Sequence, residues 1–209
     1  MSFSRLVKDE LARIEPSKLC CRLAELSAIV HMEGALHIQD GGYALHTVTE
    51  NAATARMTIR LFSELFQLKT EITVRRSVLH KTNSYLLYVS AQPNLDQALN
   101  ELGILDDLFR IKYGILPRLT RKKCCTIAYL RGAFMAGGFI SSPRKEHHFE
   151  ITTDNGGFAA DLQETLGKFG LPGKICRRKR NFAVYLTSSE SMAEFLALVG
   201  ASNALLKWE

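Results

Sequence analysis

The sequence predicts an α+β fold built from two tandem αββαββα repeats packed about a pseudo-twofold axis. Three observations lead there. The doublet Cys20-Cys21 recurs as Cys124-Cys125, an offset of 104 residues. Carried forward, that offset sets Leu26 on Leu130, Ala28 on Gly132, Gly34 on Gly138 and Leu36 on Ile140. After each of these glycines, two apolar hairpin patterns flank a helical one, and a last helical stretch stops at Gly103 or Gly200.

The elements follow in order. A helix over 4–14 precedes the first repeat, and Pro16 ends it. The first repeated helix starts near Cys20 and ends at Gly34. A hairpin over 36–38 and 43–49 turns at Asp40-Gly41-Gly42. Asn51 caps a helix over 52–66. A second hairpin spans 71–79 and 85–90, and Asn94 caps a helix over 95–102. The second copy repeats this from Cys124 to Gly138, with strands over 139–141 and 148–153. Asp154 or Asn155 caps a helix over 158–169 that stops at Gly170. Strands over 174–177 and 182–186 flank a basic turn at 178–181, and Ser188 or Ser189 caps a helix over 191–199. The chain therefore divides into an N-terminal helix (1–16), a first repeat (17–104), a linker broken by Gly114 and Pro117 (105–120) and a second repeat (121–209).

The repeated helix carries a stripe of small residues. Ala24 and Ala28 in one copy, and Ala128, Gly132 and Ala136 in the other, recur every four residues and share one face. Glycine inside a helix costs about 1 kcal/mol against alanine. Close approach of the two repeated helices is the expected reason to accept that at Gly132.

Composition bounds the function. Hydrophobic residues make up 46% and charged residues 23%, the pattern of a globular protein. No run of eighteen apolar residues suggests a membrane span, and the N-terminus lacks an apolar signal core, so a cytoplasmic protein is expected. The net charge is +6, but the first 104 residues carry eleven charges of each sign, so the whole excess falls in the second half. That suits one-sided contact with a polyanion. Five cysteines without Cys-x-x-Cys spacing argue against a disulfide framework and a zinc ribbon, and read as small buried hydrophobes. Neither a phosphate loop nor a nucleophilic triad is legible. His147-His148 beside Glu146 is not a metal cluster, because neighbouring strand residues face opposite sides.

The segments Leu26-Ser27-Ala28-Ile29-Val30-His31-Met32-Glu33-Gly34 and Leu130-Arg131-Gly132-Ala133-Phe134-Met135-Ala136-Gly137-Gly138 resemble two degenerate LAGLIDADG helices. The chain resembles one family with such helices more narrowly. Met1-Ser2-Phe3, Glu10-Leu11-Ala12-Arg13, Cys20-Cys21-Arg22, Tyr129-Leu130-Arg131-Gly132-Ala133-Phe134 and the closing run from Gly200 to Glu209 are similar to the WhiA family of bacterial sporulation and cell-division transcription regulators. The resemblance implies two antiparallel sheets forming a saddle over double-stranded DNA. It also implies a C-terminal helix-turn-helix domain beyond these 209 residues, and hence a chain that is a piece of a longer protein.

In LAGLIDADG nucleases the acid before each final glycine binds divalent metal. Here those positions are Glu33 and Gly137, and glycine offers no ligand. They are vestigial on this reading: no cleavage, no metal and no cofactor are expected, and Glu33 is expected to be a solvated carboxylate. The DNA-contact candidates are Arg75, Arg76 and Lys81 in the first repeat and Arg144, Lys145, Arg177, Arg178, Lys179 and Arg180 in the second, on strands and turns that could follow the phosphates. Weak, salt-sensitive binding dominated by the second repeat is expected, with nucleoid association. The competing reading is a protein scaffold that positions the helix-turn-helix domain or holds a sigma factor or RNA polymerase. The strand around Leu86-Leu87-Tyr88-Val89, apolar on both faces, favours it, and Phe109 and Tyr113 of the linker are expected to cover that strand.

Overall fold

The structure is a computed structural model that describes residues 2–39, 42–77 and 82–208. The chain runs α1 (Phe3–Leu11), α2 (Leu19–Glu33), β1 (Gly34–Gln39), β2 (Gly42–Thr49), α3 (Ala52–Phe66), β3 (Glu71–Arg76), β4 (Asn83–Val89) and α4 (Leu95–Glu101). It continues as α5 (Lys123–Gly137), β5 (Gly138–Ile140), β6 (Phe149–Thr153), α6 (Gly156–Gly167), β7 (Lys174–Arg178), β8 (Asn181–Leu186), α7 (Ser189–Val199) and α8 (Ser202–Trp208). From α2 to α4, and again from α5 to α7, the order is αββαββα. The sheets are antiparallel and share one topology, β1-β2-β4-β3 and β5-β6-β8-β7.

α2 and α5 form the centre. Each has fifteen residues, begins at a lysine without a side-chain cap and passes directly into a strand at a glycine. Those glycines are required by space rather than by a left-handed backbone. A Cβ on Gly34 would lie 2.3 Å from the Val30 carbonyl oxygen, and one on Gly138 2.4 Å from that of Phe134. Ala24, Ala28 and Ala128 are fully buried and Ala136 nearly so. A Cβ on Gly132 would meet the Glu25 carbonyl at 2.4 Å and the Ala28 methyl at 3.0 Å, so the backbones approach too closely for any side chain there. Positions 27 and 131 do the same work in the two repeats. Ser27 donates from Oγ to the Leu102 carbonyl at the end of α4, and Arg131 donates to the Val199 carbonyl at the end of α7. Each central helix thereby satisfies an orphan carbonyl of its own repeat's last helix.

Local chemistry explains the boundaries, with a few departures from expectation. Asn51 caps α3 by accepting from Thr54 N–H, and Asn155, not Asp154, caps α6 through Phe158 N–H. Ser188 caps α7 through Ser191 N–H. α6 closes at Gly167, and the chain reaches Gly170 through tighter turns. α1 ends at Leu11 rather than residue 14, because residues 12–14 continue as i→i+3 turns before Pro16. Asn94 does not cap α4 by its side chain; its backbone is left-handed (φ 73°), a conformation asparagine tolerates. α8 was not anticipated. Its N-terminus is held by Glu10 of α1, whose carboxylate accepts from the N–H groups of Asn203 and Ala204. Asp40 and Gly41 of the first turn, the strand end over 78–79 and Lys81 lie outside the described residues.

Candidate nucleic-acid interface

Strand pairing assigns each side chain to a face. In the first sheet, Leu45, Thr47, Leu87 and Val89 are buried toward the helices. The opposite, open face carries His37, His46, Val48, Thr73, Arg75, Leu86 and Tyr88. His37 and His46 meet edge-on with ring centroids 4.5 Å apart, His46 lies 4.5 Å from Tyr88, and the Tyr88 hydroxyl donates to Gln39. Burial, then the neighbouring His37, hold the His46 pKa below its usual range. The linker does not cover Leu86 and Tyr88. Tyr43, which donates its hydroxyl to the Phe109 carbonyl, points to the helix side of the sheet, so the linker sits on the other face. Phe109 and Tyr113 stay 51% and 74% exposed. The aromatic row itself shields Tyr88.

The second sheet opens Phe139, Glu150, Thr152, Tyr185, Lys174, Cys176 and Arg178. Arg178 is engaged there: it meets the Glu150 carboxylate at 2.7 Å, which His148 also reaches at 3.1 Å. Arg177 points to the other face, its guanidinium 5.8 Å from the centre of the Phe182 ring. The sequence run Arg177 to Arg180 is therefore divided between two sides of the hairpin. Lys179 takes a left-handed turn conformation (φ 50°), and Arg180 is exposed. Arg144 and Lys145 are exposed in the turn before β6, which Ser141 organises by accepting from His148 N–H and donating to the Glu146 carbonyl. Arg75 lies on the open face of its sheet and Arg76 on the helix side.

Between the sheets, where α2 and α5 end, lies a cavity of about 610 Å³. Glu33 forms part of its wall, with Thr49, Glu50, Asn51 and Tyr85 on one side and Ala136, Gly138 and Phe139 on the other. α1 closes it with Ser4, Arg5 and Lys8. The Lys8 ammonium donates to the Ala136 carbonyl at 3.2 Å, an orphan acceptor in the last turn of α5. Glu33 is not the solvated carboxylate the sequence suggested. Burial pushes its pKa up to about 8 against the pull of Lys8, and Glu50 pushes the same way. Burial likewise lowers Lys8, with Glu33 and Glu50 opposing. Position 137 has no room for an acid: a Cβ there would lie 2.2 Å from Met32 Cε and 2.5 Å from the Thr152 carbonyl oxygen. Sequence reasoning missed Lys8. Its signal was the 4-7-11 spacing of Ser4, Val7 and Leu11, all buried, which places residue 8 on the packed face of α1.

Family comparisons match this arrangement. The profile of the WhiA N-terminal LAGLIDADG-like domain matches residues 19–105, and that of the WhiA LAGLIDADG-like domain matches residues 126–209. A relative from Desulfitobacterium hafniense (strain Y51), named "Probable cell division protein WhiA", is 47% identical over all of this chain and 66% of its own length. A relative of the same name from Alkaliphilus metalliredigens (strain QYMF) is 39% identical, over all of this chain and 68% of its own.

The chain belongs to the WhiA family. It spans about two thirds of the length of the curated WhiA proteins it matches. The crystal structure of full-length DUF199/WhiA from Thermatoga maritima superposes with a TM-score of 0.78 at 18% identity, covering 100% of this chain and 65% of that one. The homing endonuclease I-DmoI, solved in complex with DNA and Ca, superposes at 0.59 and 12% identity, covering 89% of this chain and 92% of that one. At these identities the likeness is one of fold: two LAGLIDADG-type repeats. Among the described residues, no helix is long and apolar enough to cross a membrane.

Proposed function

We propose that this chain is the DNA-associated, non-cleaving part of a transcription regulator of bacterial cell division and sporulation. The observation that carries the reading is the chemistry where the central helices end. A LAGLIDADG nuclease needs two carboxylates there to hold divalent metal. Here one position is Gly137, walled in by Met32 and Thr152, and the other is Glu33, held toward its protonated form. A lysine ammonium occupies the neighbouring carbonyl. This is a centre arranged to lock α1 in place, not to activate water. DNA binding in general is supported by the fold neighbour solved with DNA and by the basic second repeat. Contact would be with phosphate, through Arg75, Lys81, Lys174, Lys179, Arg180, Arg144 and Lys145, with Arg177 and Arg178 contributing less because each already has a partner.

A second reading has its own support: Leu108, Phe109, Ile111 and Tyr113 of the linker are all more than half exposed. Such a patch suits a protein partner, whether a sigma factor, RNA polymerase or the family's helix-turn-helix domain. Fluorescence anisotropy of a random-sequence duplex, across a salt series with Mg²⁺ present and followed by gel analysis, separates the readings. Binding that weakens steeply with salt and leaves the DNA intact is expected, and is expected to weaken several-fold in Lys174→Ala/Lys179→Ala/Arg180→Ala. Absence of binding at low salt would favour the protein-partner reading, and cleaved DNA would reject the non-cleaving reading.

A further inference from the structure

The N-terminal ends of α2 and α5 bring four cysteines together on the pseudo-twofold axis. Cys20 and Cys21 sit in the first turn of α2, and Cys124 and Cys125 in the first turn of α5. The sulfurs of Cys20, Cys21 and Cys125 all lie within 4.8 Å of one another. Cys124, the residue before Cys125 in the same turn of α5, stands at the edge of this group, partly open to solvent. All four are free thiols, with Cys21 and Cys125 buried and Cys20 and Cys124 partly open to solvent. The spacing rule that argued against zinc from the sequence applies to ligands within one segment. It is silent when two adjacent pairs, 104 residues apart, are joined by helix pairing.

We propose that these four cysteines form a binding site for a thiophilic metal ion, with Zn²⁺ as its occupant, that staples the two repeats at the end opposite Glu33. Tetrahedral zinc with Zn–S bonds of about 2.3 Å places its sulfurs roughly 3.8 Å apart. The sulfurs of Cys20, Cys21 and Cys125 need draw together by at most about an ångström, and Cys124 joins them as the fourth ligand by side-chain rotation from the edge of the group. Two of the sulfurs are already inside and two face solvent, so an ion has a way in. The two helix starts contribute a field that favours thiolates. Neither helix start has a side-chain cap, so both leave backbone N–H groups and the positive end of the helix dipole beside the sulfurs. On binding, each coordinating thiol releases its proton to solvent, four for a full set, and no electrons move. At 1.5 Å per residue, the thirteen steps from Cys20 to Glu33 put this site about 20 Å from the cavity.

Co²⁺ titration of the reduced 209-residue chain tests the proposal. The expected result is one equivalent of Co²⁺ giving sulfur-to-cobalt charge transfer and intense tetrahedral d–d bands, displaced by Zn²⁺ with no change in protein folding. Cys125→Ser is expected to weaken binding by at least about tenfold, while Cys176→Ala, which changes the exposed fifth cysteine, leaves it unaltered. The wild-type spectrum decides even if Cys125→Ser folds poorly. Absence of thiolate bands in the wild-type chain, bands that survive Cys125→Ser, or thiols that take up no metal and only cross-link under an oxidant would overturn the assignment.

Discussion

Glu25 of α2 and Arg131 of α5 meet at 2.6 Å across the repeat interface, with side chains 1% and 9% exposed. Glu25 thereby offsets, inside the protein, the charge of the same arginine that closes the end of α7. Removing one partner of such a pair strands the other, at a cost of about 3–5 kcal/mol. Glu25→Ala is therefore expected to lower Tm by roughly 10 °C, at about 2–4 °C per kcal/mol for a chain of this size. The apolar double variant Glu25→Leu/Arg131→Met should lose less. Thermal unfolding checks the order, and a double variant less stable than the single one would show that the pair itself, not the isolated charge, matters most.

Two carboxyls, buried Glu25 and half-buried Glu33, make stability fall as pH rises. Burial raises Glu25 to about 7 and Glu33 to about 8, both above the ordinary carboxylate value of 4.5. A carboxyl with a raised folded pKa contributes fully below its unfolded pKa, and that contribution is lost as pH climbs through the folded value. The window here runs from about pH 4.5 to 8. Glu33→Gln removes one of the two groups, so its Tm relative to the parent should rise between about pH 5 and pH 8.5. A constant difference across that range would mean that Glu33 is ionised throughout.

Gly132 and Gly137 should resist substitution for different reasons. Gly132→Ala gains about 1 kcal/mol of helix propensity but drives a methyl into the Glu25 carbonyl, backbone that cannot yield without parting α2 from α5. A net loss of about 1–3 kcal/mol is expected in chemical denaturation. Gly137→Asp restores the acid yet collides with Met32 and the Thr152 carbonyl. It should lose stability without gaining Mg²⁺-dependent nicking of plasmid DNA. Strong nicking would return the fold to nuclease chemistry.

Glu150 restrains the basic face of the second sheet by engaging Arg178 and His148 together. Glu150→Gln frees the guanidinium and deletes a negative charge from the surface proposed to meet phosphate. Affinity for a random duplex at low salt should rise two- to fivefold, roughly 0.4–1 kcal/mol, and the salt dependence should steepen. Unchanged affinity would place DNA, if it binds, away from β6 and β7.

Much of the architecture was legible because the repeat is written in the sequence. The 104-residue offset carries Cys20 to Cys124 and Gly34 to Gly138, and α2 and α5 obey it from first residue to last. Asn51 marked the start of α3 because an Asn cap leaves a local signature. What the sequence did not disclose depends on register or long-range contact. The opposed faces of Arg177 and Arg178 follow from the pairing of β7 with β8. The capture of the Ala136 carbonyl by Lys8 joins residues 128 positions apart, and no local pattern encodes that. The proximity of Cys20 and Cys21 to Cys125 was illegible for the same reason: spacing rules see one segment, whereas this proximity needs two helices side by side.

The packing of α1 on α8 has a topological consequence. The rings of Phe3 and Trp208 lie 5.8 Å apart, and Glu10 grips the start of α8, so the helices that flank the two repeats are neighbours. The repeats are thus arranged almost as a closed ring, and which one comes first in the polypeptide is a matter of where that ring is opened. A permuted chain, joined near residues 3 and 208 by a short flexible bridge and opened at the exposed Leu108, would place the second repeat before the first. It should regain the same α2–α5 axis, because the symmetry that builds the saddle is indifferent to the order in which its halves are synthesised.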